Sequence, residues 1–262
     1  MRRLCFQGVH KAFRPASGRV EVLRNVNLQV AAGEFLCVVG PSGCGKSTLL
    51  NLAAGLDAPD HGEVLLGEET VRGPARACGL IFQEAPLFPW LRVRDNVAFA
   101  LRMAGVPRAE RRERAKGLLA QVGLHRFAEA WPHELSGGMK QRAALAAALA
   151  KDPEVLLLDE PFAALDAQTR DELHEALEAL WTKTGKTVVF VTHNVREAVR
   201  LGDRVLLMAA RHGAFRGEYP VALPRGRHLE DVDLVELASV IRNDLRAEVQ
   251  AHRAWEAGHG GR

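Results

Sequence analysis

The nine residues GPSGCGKST, Gly40 to Thr48, constrain this chain more than any other stretch. Gly40, Gly45, Lys46 and Ser47 satisfy the spacing G-x-x-x-x-G-K-[ST], the phosphate-cradling P-loop. A loop that binds an anion turns its backbone N–H groups inward, and glycine permits that path. It also needs an apolar strand before it and a helix after it, whose N-terminus adds partial positive charge. Both are present. Residues 20 to 39 alternate apolar with polar and then turn fully apolar, which reads as an antiparallel strand, a turn at Ala31–Gly33 and a buried strand. KSTLLNLAAGL, residues 46 to 56, reads as a helix closed by Gly55. Lys46 is thereby assigned to the β- and γ-phosphates and Ser47 to Mg²⁺. Pro41, Ser42, Gly43, Cys44 and Thr48 complete the cradle.

The rest of the chain sorts by period. GEVLLG (62 to 67) and CGLIFQ (78 to 83) read as short strands, as do EVLLLDE (154 to 160), KTVVFVTH (186 to 193) and DRVLLMA (203 to 209). Helices are expected at 167 to 183 and 195 to 201. Buried apolar strands alternating with helices argue for a parallel sheet. Residues 94 to 150 show helical periodicity alone and read as an all-helical insert. Beyond Phe215, Leu234, Leu237, Ile241 and Leu245 fall near helical spacing, which predicts an amphipathic helix.

Two further stretches carry chemistry. In VLLLDEP four apolar residues drive a buried strand that ends in Asp159 and Glu160. Alone, such acids are a strand-end cap. Beside a P-loop they face the crevice where ligands bind in parallel sheets. Asp159 then suits the Mg²⁺ shell and Glu160 the general base that polarises a water. In LSGGMKQR, Ser136 is an expected N-cap, and Gly137–Gly138 open a second helix start able to expose backbone donors to phosphate. One nucleotide can use both helix starts when two chains meet face to face.

Together these motifs closely resemble the ATP-binding subunit of ABC transporters, from about residue 3 to about residue 245. Walker A (40 to 48), signature (135 to 139) and Walker B (155 to 160) fall in the family's order. The resemblance implies an α/β fold: a RecA-like, P-loop parallel-sheet core with an antiparallel β subdomain and an inserted α-helical subdomain. It implies an ATP-binding domain over 1–218, with the helical insert at about 88–150, and a tail over 219–262. It further implies that Phe13 stacks on adenine, that Gln83 touches Mg²⁺ or the attacking water, that Asp166 meets the opposite subunit, and that His193 contacts the γ-phosphate. Without the resemblance Phe13 reads as core and His193 as structural. Ala163 and Asn194 depart from the commoner Ser or Gly and Asp, and neither change removes a catalytic group.

The same resemblance makes the chain an ATPase with ATP and Mg²⁺ as cofactors. Two subunits sandwich two ATP molecules, one face supplying Walker A, Walker B, Gln83 and His193, the other Ser136 and Gly138. Pro89-Trp90, LSGGMKQR, EPFAALDA and LPRGR resemble the nitrate, sulfonate and taurine importers. Expected partners are an integral-membrane permease, a second ATP-binding subunit (a homodimer) and, indirectly, a solute-binding protein. The expected location is peripheral, on the cytoplasmic face of the plasma membrane. Leu87, Phe88 and Trp90 are the expected permease contact, being apolar in a loop that should be exposed.

Composition removes other classes. A net charge of +3 over 262 residues is too weak to argue for nucleic acid. The basic run 108 to 116 is interrupted by two glutamates and reads as a solvated helix face. Cys5, Cys37, Cys44 and Cys78 are scattered and have no zinc spacing. No apolar run is long enough to span a bilayer, and the N-terminus lacks a signal-peptide core. The alternatives left open are an ABC ATPase of another importer or exporter class and a soluble ABC ATPase acting on nucleic acid.

Overall fold

A computed structural model of the chain describes residues 1–14, 18–84, 86–163, 165–210 and 213–259. Ala85 and Ala164, inside two of the motif loops, fall outside the described residues. The elements run β1 (Leu4–Phe13), β2 (Val20–Val30), β3 (Phe35–Val39), α1 (Lys46–Ala54), β4 (His61–Leu66), β5 (Glu69–Thr70) and β6 (Cys78–Ile81). Then follow α2 (Val93–Met103), α3 (Arg108–Gln121), α4 (Gly137–Leu149), β7 (Val155–Asp159), α5 (Ala167–Thr184) and β8 (Thr187–Thr192). The chain continues through α6 (Val195–Leu201), β9 (Arg204–Met208), β10 (Phe215–Pro220) and α7 (Val232–His259). These form two compact units. One joins Met1–Ala75 to the chain from Thr187 onward, and the other is Arg76–Lys186.

In the first unit, β3 is buried at every residue, as a parallel strand covered on both faces must be. It pairs in parallel with β8, from Phe35↔Val188 to Val39↔Thr192, and with β9, from Leu36↔Arg204 to Val39↔Leu207. β10 closes the β9 edge antiparallel. Phe35 and Phe190, on β3 and β8, bring their ring centroids to 6.1 Å, and α6 packs over β3, β8 and β9. A second, antiparallel sheet runs in the order β2-β1-β4-β5.

β1, β5 and β10 have no counterpart in the sequence-based expectation. For β1 the cause is visible. Its register with β2 shifts between Phe6 and Val9, around Gly8 at φ 55°, so burial does not alternate cleanly along it.

The C-terminal helix belongs to this unit. Leu234, Ala238 and Ile241 are buried, and α7 packs on α6. Tyr219 Oη donates to Asp244 at 2.6 Å, and Arg216 Nε to Glu248 at 2.8 Å, which bolts β10 to α7. The LPRGR stretch terminates α6. Arg227 is buried and donates to the carbonyls of Val199 and Gly202, each at 2.7 Å, and of Leu223 at 2.8 Å. Arg225 donates to the Leu201 carbonyl, so two guanidiniums of this stretch satisfy the orphan carbonyls at the end of α6.

In the second unit, β6 and β7 pair in parallel from Cys78↔Val155 to Ile81↔Leu158. Between them the chain is helical, apart from loops and two short 3₁₀ turns, as the periodicity predicts. α2, α3 and α4 pack on one another, and α4 also contacts β6 and α5. The alanines of α4 make this possible: Ala143 and Ala146 are fully buried, and small side chains let helices approach closely. The molecule is an α/β protein with parallel strands, an antiparallel sheet and an inserted helical segment.

Candidate nucleotide site

The P-loop lies where β3 ends and α1 begins. The N-cap of α1 is Gly45 at φ 108°, a conformation that side-chain-bearing residues avoid. A Cβ there would also stand 2.9 Å from Leu23 Cδ2. Lys46 is 6% exposed. Its Nζ donates to the carbonyls of Gly40 at 2.9 Å and Pro41 at 2.8 Å, so the loop's own carbonyls hold the ammonium. Ser42, Gly43 and Ser47 are exposed, while Pro41 and Thr48 are half-buried. Cys44 is buried beneath the loop, and burial pushes its thiol pKa up despite the nearby Lys46 ammonium.

His193 follows β8. Since Val39 pairs with Thr192, the P-loop and His193 leave two neighbouring parallel strands at the same edge, where ligands bind in such sheets. His193 is exposed, and the residues on either side of it are held. The Thr192 hydroxyl donates to buried Glu197 and accepts from the Asn194 N–H at 3.0 Å. Asn194 Oδ1 in turn accepts from the N–H groups of Arg196 at 3.1 Å and Glu197 at 3.4 Å, capping α6. An Asn serves this cap as well as the commoner Asp does. Sequence reading passed over Thr192 and Glu197. The signal was a polar residue closing an apolar strand and an acid in the next helix's first turn. Phe13 is 42% exposed, with Lys11 Nζ 5.3 Å from its ring centroid, so it is not a core residue.

The second unit repeats the arrangement. Ile81 pairs with Leu158, so Gln83 and the Asp159–Glu160 pair emerge together at the carboxyl ends of β6 and β7. Gln83 is exposed and both acids are half-buried. Glu160 has φ 43°, in the left-handed region, and its carbonyl accepts from the Ala163 N–H at 3.2 Å. A non-glycine residue held there stores on the order of 1 kcal/mol, a strain that concentrates at functional turns. Ser136 caps α4, its hydroxyl accepting from the Met139 N–H at 3.3 Å. Asp166 caps α5 by accepting from the Thr169 N–H at 2.9 Å, and that backbone bond holds its carboxyl below the usual range. Within this unit the amide of Gln83 and the carboxylate of Asp159 are hard oxygen donors, the donor chemistry that fits Mg²⁺.

Downstream of Gln83 the loop is apolar and open. Trp90 is 69% exposed and Phe88 36%, their ring centroids 5.3 Å apart, and Phe88 also packs edge-on to Phe99 at 5.0 Å. Leu87 is half-buried beside them. A groove of about 210 Å³ runs under the loop, lined by Leu87, Phe88, Phe99, Ala144 and Ala148 among others. Among the described residues, no helix is long and apolar enough to cross a membrane.

A P-loop on an α/β scaffold, with carboxylates at parallel strand ends and a second capped helix start, defines a nucleotide-hydrolysing domain. Comparison with known proteins agrees. Residues 23–163 match the ABC transporter family model. An uncharacterised ABC transporter ATP-binding protein of Methanocaldococcus jannaschii is 48% identical, over 94% of this chain and 92% of that one. The taurine import ATP-binding protein of Roseobacter denitrificans is 44% identical, over 92% of this chain and 90% of its own length. The nitrate import ATP-binding protein of a Synechocystis strain is 46% identical, over 82% and 81%. A solved ATP-binding cassette, a dimer in a post-hydrolysis state bound to ADP and Pi, superposes with a TM-score of 0.76 at 35% identity, covering 84% of this chain and all of that one. The chain belongs to the ABC transporter family, as an ATP-binding subunit with ATPase activity coupled to transport.

Proposed function

We propose that this chain energises import of a small anion, of the aliphatic sulfonate, taurine or nitrate type. The observation that carries this is likeness over most of the chain, at 44–46% identity, to relatives named for taurine and nitrate import. An exporter or a nucleic-acid ATPase is not favoured by those relatives. The solute passes through a permease, which selects it together with a separate solute-binding protein. The chain sits peripherally on the cytoplasmic face of the membrane. Two copies close over two ATP molecules.

In this reading Phe13 stacks on the adenine, an office that suits its exposed ring. The P-loop N–H groups, from Gly40 to Thr48, wrap the phosphates, and Lys46 exchanges its loop carbonyls for β- and γ-phosphate oxygens. Ser47, Gln83 and Asp159 would hold Mg²⁺, which neutralises charge on the phosphates when bound. Glu160 accepts a proton from the attacking water as its oxygen bonds to the γ-phosphorus and the bond to the β–γ bridging oxygen breaks. Gln83 orients that water, and His193 donates to the γ-phosphate as its charge redistributes. Ser136 and Gly138 of the partner copy close the site, with Asp166 at the same seam. Release of phosphate lets the dimer open, and Leu87, Phe88 and Trp90 pass that motion to the permease.

The test is uptake. A strain lacking the gene is complemented with wild type or with Glu160→Gln, and labelled taurine, an alkanesulfonate and nitrate are each supplied. Recovery of one solute with wild type and not with Glu160→Gln supports the reading. Wild-type uptake of all three without the gene overturns the solute assignment.

A further inference from the structure

Two buried amides hold the loop between β6 and α2. At its start, Gln141 Nε2 on α4 donates to the Gln83 carbonyl at 2.6 Å. Gln141 is 7% exposed. A carbonyl only accepts, so the NH₂ group must face Gln83, and Oε1 is left buried with no partner among the described residues. At the far end, Asn96 on α2 is buried. It accepts from the Phe88 N–H at 2.7 Å and donates to the carbonyls of Leu91 at 3.0 Å and Arg92 at 3.1 Å. The loop therefore rests on α4 at one end and on α2 at the other, and those helices pack together.

The Gln141 bond is not needed by its own helix. A long apolar side chain would fill the same space and leave no orphan acceptor, whose burial is unfavourable. What the amide adds is a fixed link between the main chain at Gln83 and the helix that Ser136 caps. The Gln83 side chain stays exposed and available.

We propose that Gln141 is a positioning residue for ATP hydrolysis. It joins the main chain at Gln83 to α4, so that the signature end of α4 and the loop bearing Phe88 and Trp90 move as one body. This rests on the role given to Gln83 above. Coupling of this sort needs a contiguous physical link, and a buried hydrogen bond from helix to loop supplies it.

The experiment measures ATPase kcat and KM, ATP affinity and thermal melting on the purified full chain. Gln141→Met keeps length and bulk but removes the donor, and Gln141→Leu removes it with a shorter apolar side chain. The expected result is a kcat lowered about threefold to tenfold, the weight of one hydrogen bond, with ATP affinity and melting unchanged. Gln83→Ala combined with Gln141→Met should be no slower than Gln83→Ala alone, because both act through one element. Wild-type turnover in both Gln141 variants, with Gln83→Ala impaired, overturns the tether alone. So does a loss that adds fully to that of Gln83→Ala or follows a fall in melting temperature, since that is structural support only. Wild-type turnover in Gln83→Ala overturns the role of Gln83 and this proposal with it.

Discussion

Gly138 lies so close to Thr169 that a Cβ added to it would stand 2.1 Å from the Thr169 Cγ2 methyl. The signature glycine therefore serves the packing of α4 on α5, apart from any contact its N–H makes with nucleotide. Gly138→Ala should lower stability by about 1–3 kcal/mol, the ordinary cost of overpacking. Thr169→Ser removes that methyl and keeps the hydroxyl, so the double variant should regain most of the loss in urea unfolding. If ATPase activity stays low in the rescued protein, the added Cβ itself obstructs the nucleotide at this helix start, a demand on the glycine separate from packing.

Lys46 makes two hydrogen bonds inside its own loop, to Gly40 and Pro41. Lys46→Met should remove both these and the bonds to phosphate. Charge-assisted bonds carry about 1.5–3 kcal/mol, so ATP affinity should fall roughly tenfold to a hundredfold in a titration. Loop carbonyls left without their donor should also cost a measurable drop in melting temperature.

Cys44 is buried, and its thiol pKa is raised by that burial. A bulky thiol reagent at Cys44, inside the phosphate loop, should occlude ATP, and the burial of the thiol means that the reagent will arrive slowly. At pH 8 a maleimide should label half-buried Cys5 at least about tenfold faster than Cys44, because the thiolate is the reacting form and must be reached. Peptide mass spectrometry reads the order, and urea should abolish it. Equal rates in the native chain would contradict the buried loop.

Tyr219 is the only tyrosine in the chain, so absorbance at 295 nm reports it alone. Burial, then the hydrogen bond to the Asp244 carboxylate, pushes its pKa up to about 12. The neutral phenol is the form the fold favours. The stabilisation is therefore complete below the unfolded value near 10 and is lost as pH rises through about 12. Asp244→Asn should move the midpoint back down, and Tyr219→Phe should loosen α7 from β10, read as faster amide exchange in α7.

How much of this was legible follows from where each signal resides. The P-loop, the Asp159–Glu160 strand end and the capped α4 are local patterns. Their backbone requirements are written into consecutive residues, so the sequence places them and their helices to within a residue or two. The exposure of Phe13 was not legible, because an aromatic at a strand end looks the same buried or open. β1 hid behind its bulge, and β10 showed mixed burial along a short edge strand.

By itself the sequence determined the class of chemistry and the α/β order, because phosphate cradles and apolar strands depend on neighbours along the chain. Only tertiary structure decided that Gly138 must clear Thr169, that Arg227 terminates α6, and that Gln141 holds the main chain at Gln83 from 58 residues away. Those contacts join distant segments. Close packing and the need to pair buried polar groups fix them, and no local pattern encodes either.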